Sequence, residues 1–104
     1  MLIKDIFKRF DEIIPIENAA DWDNSGEQIQ FSREVVNRVL TTLEVTNDVI
    51  DEAISRKCNL ILSHHPLIFT KINTISDKQP KQKMIMRLIS NKISVYSAHT
   101  NYDI

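Results

Sequence analysis

Apolar residues Ile3, Ile6, Phe7, Phe10, Ile13 and Ile14 recur at helical spacing, with Lys4, Lys8, Arg9 and Glu12 on the other side. That pattern predicts a helix that buries one stripe, and Pro15 closes it by removing a donor and disfavouring helical geometry before it. From Asn37 to Val45 the chain has the β-branched density of a strand. Thr46 or Asn47 then caps a helix whose inner face is Val49, Ile50, Ala53 and Ile54. Leu60 to Ser63 reads as a buried strand, and Met84, Ile85, Leu88 and Ile89 form the apolar face of another helix. The run Ile93–Ala98 supplies a further strand. Strand, helix, strand with short connections is the signature of βαβ units and parallel pairing. The fold class expected is therefore α/β: a three-layer-like arrangement with a mainly parallel sheet and the N-terminal helix packed on it, as one domain over residues 1–104.

Two polar stretches interrupt this pattern. Asp21-Trp22-Asp23-Asn24-Ser25-Gly26 is a strong turn signal, since Asp and Asn bond their own backbone and Gly26 tolerates positive φ. It leads into a short strand, Gln28–Phe31. The loop either simply turns the chain or brings Asp23 and Asn24 to the rim of a binding site as substrate contacts. The second stretch, Thr70 to Lys83, contains Pro80 and reads as a loop near that site.

Composition narrows the function classes. A formal net charge of −1 gives no electrostatic case for nucleic acid or an anionic membrane as partner. The basic residues Lys78, Lys81, Lys83, Arg87 and Lys92 are accounted for by a solvated helix face. The single cysteine, Cys58, forms no internal disulfide and reads as a small buried apolar residue, so a reducing cytoplasm is the expected location. One glycine in the chain leaves no glycine-rich loop for a nucleotide cofactor.

The chemistry concentrates where strands end. Leu60–Ser63 runs into His64-His65-Pro66, and Ile93–Ala98 runs into His99-Thr100-Asn101-Tyr102-Asp103. Parallel sheets gather functional groups at the carboxyl ends of their strands. Imidazole and carboxylate together suit Zn, Mn, Fe or similar divalent ions, which points to His64, His65 and Asp103 as metal ligands. Successive side chains of extended backbone point to opposite sides, and Pro66 favours extended geometry at His65. That predicts one histidine for each of two ions rather than both on one, in a two-metal site of about 3.5–4 Å spacing. His99 is either a third nitrogen ligand or, as the need to orient metal-bound groups favours, a neighbour that positions the ligands, contacts substrate or moves a proton.

Three blocks carry a resemblance: Asp23-Asn24-Ser25-Gly26, Ser63-His64-His65-Pro66-Leu67-Ile68-Phe69 and Ala98-His99-Thr100-Asn101-Tyr102-Asp103. In order and spacing they are similar to the Nif-three-like family, many members of which carry the name GTP cyclohydrolase I type 2 homolog. The similarity extends over essentially the whole chain, including Leu43–Ile54. It implies a dinuclear site with His64, His65 and Asp103 as ligands, completed in the family by a histidine and a glutamate near the C-terminus. It also implies a protein more than twice this long, assembled as a homohexamer, of which this chain resembles the N-terminal portion. The function expected is a divalent-metal-binding domain of a metal-dependent hydrolase of unknown small-molecule substrate. The alternative is a non-catalytic metal-binding scaffold or protein-interaction module.

Overall fold

A computed structural model of the chain describes residues 1–14 and 24–98. The elements, in order, are α1 (Ile3–Ile13), β1 (Gly26–Ile29), β2 (Val39–Thr42), α2 (Asn47–Ser55), β3 (Leu60–Ser63), α3 (Pro80–Ser90) and β4 (Ser94–Ser97). The strands form one sheet in the order β1-β4-β3-β2. β2 pairs with β3 and β3 with β4 in parallel, while β1 lies antiparallel along β4 with an irregularity between Glu27 and Ile29. The mainly parallel α/β sheet expected from the sequence is present, with an antiparallel edge that no local pattern announced.

Strand alternation divides the core. Leu60 and Tyr96 face α1 and pack with Ile3 and Phe7. Ile61 and Val95 face the other side and pack with Ile50 and Ala53 of α2 and Ile85 and Leu88 of α3. The sheet is thus sandwiched between α1 and the crossover pair α2/α3. Each crossover helix ends the same way. Lys57 and Lys92 take left-handed backbone, φ 59° and 52°. Cys58 N–H then bonds Ala53 C=O and Ile93 N–H bonds Leu88 C=O, with Lys57 to Ile54 and Lys92 to Ile89 inside them. These paired bonds satisfy helix-end carbonyls and turn the chain sharply back into β3 and β4. Cys58 and Ile93 are buried beside the residues whose carbonyls they cap, so the cap is also a core contact.

Several boundaries differ from the sequence reading. β2 is shorter than Asn37–Val45, because only Val39–Thr42 has a partner strand opposite it. β1 begins at Gly26 rather than Gln28, as Gly26, at φ 105°, already pairs with Ser97. α3 starts at Pro80 instead of following Lys83: a proline in the first turn gives up a donor that has no helical partner there. Ile13, Ile54 and Ile89, expected on inner faces, are 68%, 39% and 46% exposed. Each lies at the edge of its stripe in the last turn of a short helix. Thr46 is the α2 cap, its hydroxyl accepting from Val49 N–H at 3.2 Å. Among the described residues no helix is long and apolar enough to cross a membrane.

Candidate metal centre

The carboxyl end of β3 is where the candidate residues converge. His64 and His65 follow Ser63 directly and are both half-buried. In a regular interior strand successive N–H groups alternate between the two neighbours. Here both turn to the β2 side: His64 N–H bonds Thr42 C=O at 3.1 Å and His65 N–H bonds Leu43 C=O at 2.9 Å. The chain bends at these two residues, and the imidazole centroids lie 5.3 Å apart with planes at 58°. The expectation that the rings diverge to opposite sides is therefore corrected. It assumed extended backbone through His65, whereas the chain bends there.

Orientation of the first ring is specific. His64 Nδ1 lies 2.9 Å from Ala98 C=O. A carbonyl only accepts, so Nδ1 carries the proton in that contact, and the neutral ring keeps its lone pair on Nε2. Metal-bound histidines commonly donate their other ring N–H to a carbonyl in this way. A hollow of about 260 Å³ adjoins the ring, lined by Ile14, Thr41, Thr42, Leu62, Ser63, His64 and Ala98. A larger hollow of about 570 Å³, between Val36–Arg38 and Ser55–Lys57, sits at the opposite end of the strands and holds no histidine.

Two hydroxyls lie directly behind the bend. Ser63 Oγ donates to His65 C=O at 2.9 Å and lies 2.8 Å from Ser97 Oγ. Ser63 and Ser97 are register partners in β3 and β4, exposed by 1% and 0%. Neither serine carries a chemical motif in the sequence, although a serine closing an otherwise apolar buried strand is a visible signal.

The Asn-Ser-Gly turn meets the histidine loop. Asn24 Nδ2 donates to Ile68 C=O at 2.7 Å. Ile68 N–H donates to Gln28 Oε1 at 2.8 Å, and Gln28 Nε2 donates back to Asn24 C=O at 2.7 Å. The two amide side chains thus serve Ile68 as a strand neighbour would. Asn24, expected at a site rim, clamps the segment that follows His65. Gln28 was not singled out from the sequence, because its role depends on a partner 40 residues away. Leu67, which the clamp helps seat, is 1% exposed in the α2/α3 core.

Asp23, His99 and Asp103 lie outside the described residues. Among the described residues no group of three or more His, Cys, Asp or Glu side chains gathers as a metal cage. His64 and His65 form a pair at the end of β3, and the parallel strand β4 ends at the same end of the sheet, with Ser97 opposite Ser63. Glu27 is exposed and bonds Gln30.

Residues 1–104 match the model of the Duf34/NIF3 (NGG1p interacting factor 3) family. The chain belongs to that family. A GTP cyclohydrolase 1 type 2 homolog of Clostridium acetobutylicum is 42% identical over 101 residues, 97% of this chain and 38% of that protein. NIF3-like protein 1 of Rattus norvegicus is 34% identical over 104 residues, 99% of this chain and 28% of its own length. Among solved structures, Staphylococcus aureus protein SA1388 superposes with a TM-score of 0.93 at 36% identity, covering 100% of this chain and 34% of that one. Reduced HcgD from Methanocaldococcus jannaschii gives a TM-score of 0.88 at 28% identity, covering 100% and 42%. The chain thus spans well under half the length of these NIF3 relatives.

Proposed function

We propose that this chain is the part of a NIF3-family protein that supplies His64, His65 and Asp103 to a divalent-metal centre, and that the centre serves a hydrolytic reaction on a small molecule. The observation that carries the reading is the histidine pair: two rings 5.3 Å apart, one with its Nδ1 committed to a backbone carbonyl. That donor chemistry fits a borderline ion such as Zn, Mn or Fe. In this reading Asp103 adds the carboxylate, and two ions complete the site. A bound divalent ion would supply Lewis acidity and ease deprotonation of water.

The chain's own residues would do the rest. Ala98 C=O fixes which nitrogen of His64 can coordinate. Ile14 and Leu62 give the open hollow beside that ring an apolar wall. His99, one residue beyond the carbonyl that holds His64, would accept or return a proton, and Asp23 with Asn24 would border the substrate. A homohexameric longer protein belongs to the same proposal. So does its cytoplasmic location.

The test is metal-dependent turnover. A panel of phosphate esters and cyclic amides is offered with Zn or Mn to the chain and to His64→Ala/His65→Ala. Hydrolysis that needs both the metal and the histidines supports the reading. Turnover that survives loss of both histidines sinks it. Metal binding without turnover on any substrate favours the scaffold alternative.

A further inference from the structure

Ser63 is linked to both histidines through different atoms, to His65 directly and to the His64 ring by way of Ala98. Its C=O accepts Ala98 N–H at 2.9 Å, and Ala98 C=O in turn holds the His64 ring. Its hydroxyl donates to His65 C=O. A serine hydroxyl has one proton, so with that proton on His65 the Ser63–Ser97 contact is made by Ser97 donating. Two hydroxyls sealed from water therefore form a directed chain, Ser97 to Ser63 to the His65 carbonyl. On this face of the sheet the preceding positions are Ile61 and Val95, packed in the α2/α3 core. Burying two hydroxyls there carries a desolvation cost unless each is bonded, and here the terminal acceptor is the backbone of a candidate ligand.

We propose that the Ser97–Ser63 hydroxyl chain is the positioning device of the histidine pair: it fixes the bend at His64-His65 and so turns both imidazoles to one side. The proposal rests on the metal reading for its purpose, and its geometry stands apart from that reading. Without the Ser63 hydroxyl the His65 carbonyl loses its hold, and the segment relaxes toward the extended backbone that residues preceding proline prefer.

Ser94 is the matched control. It is equally buried in β4, and its hydroxyl likewise serves a backbone group, accepting Phe31 N–H at 2.9 Å. It sits at the other end of the strand, paired with Leu60. Removing it perturbs packing and one hydrogen bond without reaching the histidines.

The experiment compares the parent with Ser63→Ala, Ser97→Ala, Ser63→Thr and Ser94→Ala, first metal-free. Multiple-bond ¹H–¹⁵N spectra read the His64 tautomer, and an inter-ring NOE reads the proximity of His64 and His65. Zinc titration of each variant follows. The parent, Ser94→Ala and Ser63→Thr are expected to show the Nδ1–H tautomer and the NOE. Ser63→Ala is expected to lose the NOE, mix tautomers and bind zinc about 10–100-fold more weakly, and Ser97→Ala, which keeps the Ser63 donor but removes its brace, to weaken the NOE and zinc binding in the same direction by less. Ser63→Ala or Ser97→Ala spectra identical to the parent overturn the proposal, as does an equal loss in Ser94→Ala. If Ser63→Ala fails to fold, Ser97→Ala decides. A parent that takes up no zinc refutes the metal reading alone, and the metal-free spectra still decide the positioning.

Discussion

Tyr96 offers the sharpest energetic test of how α1 is held over the site. Its ring is fully buried between Phe7 and Phe10, with centroids 5.2 and 5.0 Å away. Its hydroxyl donates to Asp11 Oδ1 at 2.6 Å, tying the last turn of α1 to the middle of the sheet. Ile14, just beyond that turn, lines the hollow beside His64, so this bond sets one wall of the candidate site. Tyr96→Phe keeps the packing and removes one hydrogen bond. Because Asp11 is exposed, water replaces the lost donor, and the cost falls near about 1 kcal/mol. Asp11→Ala instead strands the hydroxyl without its acceptor, and the cost rises to about 2–3 kcal/mol. In the Tyr96→Phe background the sign reverses. Asp11 is then only an acid at the C-terminal end of a helix, and replacing it with alanine stabilises by a few tenths, about 0.3–0.5 kcal/mol. Urea unfolding of all four proteins measures the cycle. Equal costs for the two single variants, or additive costs in the double, refute the reasoning. The same bond has a pH signature. Burial first, then the hydrogen bond and charge of Asp11, raise the Tyr96 phenol above its usual range. The native state therefore holds that proton more tightly than the unfolded chain. The contribution is whole below about pH 10 and is lost as pH climbs above it. The stability gap between parent and Tyr96→Phe narrows there.

Three further perturbations test other parts of the account. Gln28→Ala breaks the clamp on Ile68 and leaves its half-buried N–H unanswered, so chemical denaturation should show a loss of about 1–2 kcal/mol. Hydrogen exchange should rise at Ile68 and not at α2. Lys57→Gly relieves a left-handed position that costs a β-carbon about 1 kcal/mol, and the melting temperature should rise; a fall would contradict the helix-end geometry. Asp51→Asn removes an exposed partner 2.6 Å from Arg87, and should change stability by no more than about 0.5 kcal/mol, less still in high salt.

What the sequence disclosed and what it withheld follow from the range of the interactions. The α1 stripe, the βαβ alternation and the placement of His64-His65 at a strand end are written in spacing, which is local. The bend at His64-His65 was not readable, because the groups bonded around it are distant in sequence: Thr42 and Leu43 of the β2 side, and a Ser63 hydroxyl in contact with Ser97, 34 residues away. The Asn24–Gln28 clamp was hidden for the same reason: an amide's role is unspecified until a backbone is brought opposite it. The β1 edge follows from how Gly26–Ile29 lies along β4 and not from any period. Ile54 and Ile89 were misplaced because an apolar side chain in a last turn looks the same whether or not something covers it.

Divalent-metal binding through His64 and His65, as proposed, is open to direct test. Elemental analysis of protein purified without metal-affinity resin, parent beside His64→Ala/His65→Ala, tests it directly. About one to two divalent ions per chain in the parent and near none in the variant is the predicted result. A parent that stays empty with added Zn or Mn, or a variant that retains the ions, contradicts it.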